Sequence, residues 1–185
     1  MIRRLNIYVL SIAIVISLVA SCSKGNTTKK ENDMKSVSSN SNTSNQKREM
    51  SINFTLSDLH GNSFTLHDNK NKVIVMDFWA TSCGPCRLEI PKLIELNSKY
   101  KDKGVLFVGV GLDSKERLAD FSKQYKINYD ILIGSREVAG MYGIKYIPTT
   151  YILDKKGRII KKLIGYQSGE TEDQIEKTID EALKE

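Results

Sequence analysis

Two kinds of hydrophobic pattern alternate along the chain from about Ser51 onward. Residues 73–79 and 105–110 are apolar runs, interrupted in the first only by Asp77, as expected for strands that are buried on both faces of a sheet. Between these runs, apolar side chains recur every three or four residues and predict a helix that ends near Lys101; these are Ile90, Leu93, Leu96 and Tyr100. A strand, a helix and a second strand in this order predict a parallel pair joined by a right-handed crossover.

Shorter patterns on either side of this unit predict further elements. Residues 54–56 and 64–66 flank a turn-rich segment, which is typical of an N-terminal β-hairpin. Downstream, residues 131–133 predict an additional strand, and residues 136–142 predict a short helix that ends at Gly143. The order of the elements predicts an α/β fold with a mixed sheet.

The C-terminal part of the pattern predicts a second hairpin and a last helix. Residues 149–153 and 158–164 flank a turn at Asp154 to Gly157 and predict two antiparallel strands. Asp113 and Glu116 have the spacing of a capping box, which predicts the start of an earlier helix. The last helix is predicted to begin at Thr171.

Residues 1–21 predict an export signal. Two arginines precede an apolar stretch, residues 7–20, which is too short to span a bilayer comfortably. Residues 18–22 resemble a bacterial lipobox, whose cysteine, here Cys22, becomes the acylated first residue of the mature protein. An ordinary secretory signal and an uncleaved signal anchor stay open as alternatives, and each of them also exports the domain.

Residues 22–49 predict a lipidated cysteine followed by a flexible tether. Only Met34 and Val37 are apolar between Ser23 and Glu49, so this segment cannot bury enough surface to offset the entropy of ordering. The folded domain is therefore predicted to span residues 50–185. The formal net charge of +6 is scattered along the chain, which favours a solvated surface and not a nucleic-acid site.

The sequence Cys83-Gly84-Pro85-Cys86 lies between the first buried strand and the helix that follows it. This context places two thiols at a helix N-terminus, where unpaired N–H groups and the helix dipole favour an anion. Such a setting lowers the pKa of a cysteine from about 8.5 to roughly 3.5–7.5, so Cys83 is expected to be a thiolate near neutral pH. The spacing also lets Cys86 close a disulfide with Cys83 and resolve a mixed disulfide.

Other sites built on a Cys-x-x-Cys pair are less consistent with this chain. Structural zinc usually requires four ligands, and the only other soft ligands near the domain are His60 and His67, in a turn-rich segment. Haem attachment requires a histidine directly after the second cysteine, where this chain has Arg87. A purely structural short-loop disulfide stays open. No metal or cofactor is expected.

The wider context of the cysteines carries a family resemblance. Residues 77–86, with Pro91 after the motif and Ile147-Pro148-Thr149 before a later strand, resemble the thioredoxin superfamily. The export signal, the first hairpin and the insertion at residues 131–142 are similar to its TlpA/ResA branch of membrane-tethered bacterial thiol-disulfide oxidoreductases. The resemblance covers roughly residues 50–185 and implies a thioredoxin fold with an N-terminal β-hairpin and a central strand-helix insertion.

The resemblance also implies roles for the motif residues. Cys83 would be the attacking thiolate and Cys86 the resolving thiol. Pro148 would follow a cis peptide bond and place the backbone beside Cys83, where it can pair with an extended substrate. The implied substrate-contacting residues are Gly84, Pro85, Ile147 and Pro148. Ser82 departs from the family, in which an aromatic residue commonly precedes the first cysteine, so partner choice does not carry over.

Two acidic residues match functional positions of related proteins. Glu89 corresponds to a glutamate of the ResA-like branch that lies near the active site and influences thiol proton transfer; the alternative is a solvated helix residue. Asp77 corresponds to the buried acid of thioredoxin, a candidate for taking the proton of Cys86; the alternative is a hydrogen-bonded structural acid. Burial in an apolar strand should raise the pKa of Asp77. Trp79 is expected to pack under the active-site loop.

These features together imply a membrane-anchored thiol-disulfide oxidoreductase of the cell envelope, on the outer side of the cytoplasmic membrane or facing a periplasm. Cys83 would attack the disulfide of a partner, and Cys86 would release the reduced partner. The implied partners are exported proteins with disulfides, such as apocytochrome c, and a membrane-embedded electron donor of thiol type. The implied processes are redox homeostasis and cytochrome c biogenesis.

Two other functions stay open at this stage. Thiol peroxidases share the fold, but they typically have Thr or Ser three residues before the reactive cysteine, whereas Thr81 and Ser82 lie two and one residues before Cys83. A Cu(I)-binding lipoprotein would use the two thiolates as soft ligands. Fast peroxide turnover or tight Cu(I) binding would distinguish these functions from disulfide exchange.

Overall fold

The computed structural model describes residues 48–185, so the predicted export signal, Cys22 and nearly all of the predicted tether lie outside the described residues. The guanidinium group of Arg48, the first described residue, donates to both carboxylate oxygens of Glu185 at 2.6 and 2.7 Å. The carbonyl oxygen of Glu49 accepts a hydrogen bond of 2.8 Å from the backbone N–H of Ile159. These two residues, predicted as the end of the tether, are therefore bonded to the domain.

A mixed sheet of five strands forms the centre of the domain, and a separate hairpin lies at its edge. The strands are β1 (Thr55–Ser57), β2 (Ser63–Thr65), β3 (Val73–Trp79), β4 (Val105–Gly111), β5 (Asp130–Ile133), β6 (Thr149–Leu153) and β7 (Ile159–Ile164). The sheet order is β5-β4-β3-β6-β7, in which β3, β4 and β5 are parallel, while β6 and β7 are antiparallel to their neighbours. The β1–β2 hairpin joins the β5 edge through a bridge between Asp58 and Leu132.

Within residues 48–185, four α-helices cover the sheet: α1 (Gly84–Tyr100), α2 (Lys115–Tyr125), α3 (Arg136–Met141) and α4 (Glu170–Leu183). The predicted thioredoxin fold with an N-terminal hairpin and a β5–α3 insertion is confirmed. Helix α1 continues through Pro91. Within residues 48–185, no helix is both long and apolar enough to cross a bilayer.

Strand β3 is buried along its whole length, as its unbroken apolar run predicts. Successive side chains of a strand point to opposite faces of the sheet. Ile74, Met76 and Phe78 pack in one core cluster with the hairpin and the insertion, whereas Val73 and Val75 pack in another with α1 and α4. This alternation places the side chain of Asp77 on the α1 side of the sheet.

Two predicted helix starts are wrong in detail. The N-cap of α2 is Ser114, whose hydroxyl accepts from the backbone N–H of Arg117, and not Asp113. Helix α4 begins after Gly169, while the hydroxyl of Thr171 accepts a bond of 2.9 Å from the N–H of Gln167. A sequence contains several capping candidates within two residues of each other, and the path of the preceding loop selects among them.

Candidate active site

The two cysteines lie where β3 ends and α1 begins. Cys83 is the N-cap of α1, and its sulfur accepts a hydrogen bond of 3.2 Å from the backbone N–H of Cys86. The two sulfurs form a disulfide with an S–S distance of 2.03 Å. Cys83 is partly exposed and Cys86 is fully buried. Cys83 is therefore the sulfur that a partner protein can reach.

A loop before β6 lies against the exposed cysteine. The Ile147–Pro148 peptide bond is cis, as the resemblance implied, and the carbonyl oxygen of Ile147 lies 3.7 Å from Cys83 Sγ. Pro148 is buried, whereas Gly84 and Pro85 are exposed at the start of α1. The structure thus brings Ile147 beside the cysteine motif.

Exposed apolar side chains occur on the same two segments. Leu88, in the second turn of α1, is 65% exposed, and Tyr146, directly before Ile147, is 70% exposed. Such side chains on the surface are available for contact with a partner protein. The pattern of the sequence did not single out either residue, because Leu88 reads as an ordinary helix position and Tyr146 as an ordinary loop position.

Asp77 is a buried carboxyl group to which no donor of residues 48–185 lies within hydrogen-bond distance. It is 1% exposed, and neither carboxylate oxygen is bonded within the described part of the chain. Burial raises the pKa of Asp77 well above its usual range, and the nearby charge of Glu89 adds to this increase. The hydroxyl of Thr150, its neighbour across the sheet, acts in the opposite direction and lowers this pKa, and a role of Asp77 in proton transfer stays a prediction.

Glu89 is also buried, at 1% exposure, on the face of α1 that carries Cys86. Its Oε1 accepts a hydrogen bond of 3.1 Å from the hydroxyl of Thr150, while its Oε2 is buried and has no partner among the described residues. Burial raises the pKa of Glu89 to about 7; the Thr150 hydrogen bond opposes the increase, and the charge of Glu172 adds to it. The alternative of a solvated helix residue is wrong.

The two acids belong to one buried acid cluster, defined here as Asp77, Glu89, Thr150 and Tyr129. Asp77 lies directly opposite Thr150 in the β3–β6 ladder, and Thr150 bonds Glu89. The phenol oxygen of Tyr129 is buried and has no partner in the described part of the chain, and burial, Asp77 and Glu89 all raise its pKa. Sequence reasoning missed Thr150 and Tyr129, because nothing local marks a strand threonine or a loop tyrosine as a neighbour of two acids.

Gly109 leaves space beside the buried acid cluster because it has no side chain. It pairs with Asp77 in the parallel β3–β4 ladder. A Cβ atom at this position would lie 2.8 Å from Trp79 Nε1, 2.9 Å from Ile131 Cδ1 and 3.3 Å from Tyr129 Cε2. The missing side chain lets these residues pack beside Asp77, and Trp79 is fully buried, with its ring centroid 5.1 Å from that of Phe121. The predicted packing role of Trp79 is confirmed.

The loop before Cys83 is held by the start of α2. Asp113 Oδ2 accepts a hydrogen bond of 2.6 Å from the backbone N–H of Thr81. Arg117 Nη2 donates to the Thr81 hydroxyl at 2.9 Å. The acid that the sequence suggested as a helix cap therefore positions the backbone that leads to the reactive cysteine.

The two histidines of the described chain lie in the N-terminal region. His60 is in the turn between β1 and β2, and His67 Nε2 lies 3.0 Å from the carbonyl oxygen of Ser51. Among residues 48–185, no group of three or more His, Cys, Asp and Glu side chains is arranged to hold a metal ion.

Known proteins are similar to this domain both in sequence and in fold. Residues 48–162 match the AhpC/TSA family. Thiol-disulfide oxidoreductase ResA of Bacillus cereus is 37% identical over 120 residues, which cover 64% of this chain and 69% of that protein. ResA of Bacillus subtilis is 32% identical over 115 residues, which cover 61% of this chain and 64% of that protein.

A solved structure agrees with these relatives. The crystal structure of a protein assigned as the thiol:disulfide interchange protein DsbE of Chlorobium tepidum superposes with a TM-score of 0.69 and 28% identity, and covers 74% of this chain and 96% of that one. These similarities are consistent with the geometry of the disulfide. They are the extent of the family match, the identity to ResA and the shared fold. The chain therefore belongs to the AhpC/TSA family and is a ResA-like thiol-disulfide oxidoreductase with a thioredoxin fold.

Proposed function

We propose that this oxidoreductase reduces disulfides of exported proteins at the outer side of a bacterial membrane, to which lipid on Cys22 attaches it. The observation that carries the proposal is the asymmetry of the pair: Cys83 is partly exposed, and Cys86 is fully buried in the helix that also carries Glu89. A dithiol of this kind can receive a partner at one sulfur and release it with the other.

The first step uses the reduced dithiol. The Cys83 thiolate attacks one sulfur of the partner disulfide, an S–S bond forms between the two proteins, and the other partner sulfur leaves as a thiolate that takes a proton from water. The Cys86 N–H and the N-terminus of α1 support the negative charge on Cys83. The cis Ile147–Pro148 segment lies beside the attacking sulfur and supports an extended partner segment there.

The second step releases the partner. Cys86 loses its proton and attacks Cys83, which forms the intramolecular disulfide and expels the second partner thiolate. Two electrons have then passed from the dithiol to the partner. A buried thiol needs a nearby proton acceptor, and the pKa of Glu89, about 7, suits proton exchange at neutral pH. Asp77, with its raised pKa, is the second acid proposed for this proton transfer.

The position at which the chain enters the domain supports the proposed attachment to a membrane. Thr149 pairs with the end of β3 that leads to Cys83, whereas Leu153 pairs with its beginning. Arg48 bonds Asp154, directly after Leu153, so the chain enters the domain at the edge of the sheet remote from the disulfide. A tether entering there leaves the reactive edge free to face partner proteins, and a membrane-embedded thiol donor would restore the dithiol.

Trapping in the native envelope tests this function. Cys86→Ser is expected to accumulate mixed disulfides through Cys83 with exported proteins, among them apocytochrome c, identified by mass spectrometry. The matched control, Cys83→Ser, should trap none of them, and Cys22→Ser should release the protein from the membrane fraction. An empty trap together with no disulfide reduction by the purified dithiol would refute the proposal. Peroxide turnover that survives Cys86→Ser would indicate a thiol peroxidase instead.

A further inference from the structure

Basic side chains from distant parts of the sequence lie together at the edge of the sheet remote from the disulfide. Three loops form this edge, and they span residues 66–72, 101–104 and 154–158. The N–H of Asn71 donates to the carbonyl oxygen of Lys155 at 2.8 Å, and the N–H of Val73 donates to that of Gly104 at 3.0 Å. Lys155 Nζ also donates to the carbonyl oxygen of Leu183, at the end of α4. The three loops and this helix end therefore form one continuous surface.

The three loops carry a net positive charge. Five of their lysines are exposed, and we name this set the lysine edge: Lys70, Lys72, Lys101, Lys103 and Lys156. Lys72 and Lys101 come from different loops and line a common surface pocket of about 230 Å³. The same loops carry two exposed acids, Asp68 and Asp102, while a third acid, Asp154, is buried. The exposed acids therefore offset only part of the charge of the lysine edge.

Acidic side chains at the margin of this surface do not cancel its charge. Asp154 accepts a hydrogen bond of 2.6 Å from Arg158 Nε, and Glu185 accepts from both Nη atoms of Arg48. These two carboxylates are therefore already neutralised by arginines. Further exposed charges beside the three loops are of both signs: Glu49, Lys126, Asp130, Glu181 and Lys184. The excess of positive charge stays with the lysine edge.

The opposite edge of the sheet, which carries the disulfide, has balanced charge. Its connecting segments span residues 80–83, 111–114, 134–148 and 165–169. Their charged side chains are two acidic and two basic residues: Asp113, Glu137, Arg136 and Lys145. Exposed apolar side chains lie beside the disulfide instead, among them Tyr146. The domain therefore presents lysines at one edge and its reactive sulfur at the other.

We infer that the lysine edge binds the anionic phospholipid headgroups of the membrane and turns the disulfide away from them. The inference rests on the membrane attachment in the proposed function and adds an orientation to it. Arg48 Nη1 lies 3.4 Å from Asp154 Oδ2, so the described chain enters the domain at the same edge. Each lysine near an anionic leaflet strengthens binding by roughly fivefold, and the attraction falls off within a Debye length. Bound in this way, the domain keeps Cys83 open to partner proteins.

The test uses the full, acylated protein on nanodiscs that contain anionic phospholipid and a lipid with a spin-labelled headgroup. The spin label broadens the NMR signals of amides that lie close to the membrane. Gly104 and Gly157, in the loops of the lysine edge, should lose most of their signal, whereas Gly84 and Gly165, beside the disulfide, should keep theirs. The difference should disappear on nanodiscs of neutral lipid and in 1 M salt, where the Debye length is about 3 Å.

Two triple variants separate the position of the charges from their number. The first replaces three lysines of the lysine edge by glutamine and should abolish the difference between the two edges: Lys72→Gln, Lys101→Gln and Lys156→Gln. The matched control replaces three exposed lysines outside these loops and should keep the difference: Lys115→Gln, Lys145→Gln and Lys177→Gln. Equal broadening at both edges of the unsubstituted protein, or an equal loss in the two variants, would overturn the inference.

Failure of the proposed function gives a different result. Protein recovered from the envelope without lipid on Cys22 would refute the proposed attachment. An empty Cys86→Ser trap would count against the proposed reaction, since the nanodisc experiment needs no partner protein. An acylated and active protein that shows no preferred edge would overturn this inference alone.

Discussion

The hydroxyl of Thr150 donates a hydrogen bond of 3.1 Å to Glu89 Oε1, and this bond joins β6 to α1 one helical turn after the buried cysteine. Thr150 also lies directly opposite Asp77 in the sheet. A hydroxyl group has one proton to donate, so one of the two acids is bonded and the other is not. The protonation of Asp77 and Glu89 therefore depends on Thr150, a neutral residue that does not itself exchange a proton.

Thr150→Val should raise the pKa of Glu89 above its present value of about 7, because the hydrogen bond that lowers it is lost. The buried carboxyl group also loses a donor, so the free energy of unfolding should fall by about 1–3 kcal/mol. Carboxyl carbon NMR and urea unfolding measure the two effects. Thr178→Val, which removes a hydroxyl bonded inside α4, is the control and should leave the Glu89 pKa unchanged. A Glu89 midpoint at or below that of the wild type in Thr150→Val would contradict the prediction.

Glu89→Gln should stabilise the protein in a pH-dependent way. The pKa of Glu89 is about 7 in the folded protein against 4.5 as its ordinary value, so the folded state binds more protons between these two pH values. Stability contributed by this residue is therefore lost as the pH rises through that window. The variant should match the wild type at pH 4 and exceed it by up to about 3 kcal/mol at pH 8.

Urea unfolding across the pH range measures this difference. Glu95→Gln, on the exposed side of the same helix, is the control, with a carboxylate 65% exposed, and should show no such pH dependence. A constant difference between Glu89→Gln and the wild type from pH 4 to pH 8 would show that Glu89 titrates normally.

Asp77→Asn should slow the release of a partner from Cys83 and leave the initial attack unchanged. The buried thiol of Cys86 loses one of the two acids proposed for its proton, while the partly exposed sulfur keeps its contacts with α1. Release should slow by roughly 10- to 100-fold, at or below the lower end of the range for acid–base catalysis, because Glu89 remains. Single-turnover stopped-flow resolves the two steps. Equal slowing of attack and release would indicate a general structural effect.

Gly109→Ala should destabilise the domain by about 1–3 kcal/mol, since the added methyl group would meet Trp79 Nε1 at 2.8 Å and Ile131 Cδ1 at 2.9 Å in a packed core. Gly140→Ala is the matched control, because a Cβ atom there has nothing within 4 Å. In α3 it should be neutral or stabilise by up to about 1 kcal/mol. Thermal and urea unfolding measure both variants. Equal effects of the two substitutions would show that the space beside Asp77 is not closed.

Much of the fold was predictable because its signals are local. The run of residues 73–79 is a buried strand with the predicted bounds, and the spacing of apolar residues after Cys86 gives a helix that ends at Tyr100. The cysteine motif at the start of that helix can be interpreted from the strand before it and the helix after it. The cis bond before Pro148 was expected only from the family resemblance, because most X-Pro bonds are trans.

Local patterns were enough to predict the strands, the helices and the position of two cysteines at a helix N-terminus, since these depend on residues within a few positions of one another. The groups that surround the helix of the buried cysteine come from distant parts of the chain, so they follow only from the folded arrangement. Thr150 lies 61 residues from Glu89 along the chain and reaches it because the register of the sheet places β6 beside α1. Burial and electrostatic coupling act through space, so the proton chemistry of the cluster follows from packing that no local pattern records.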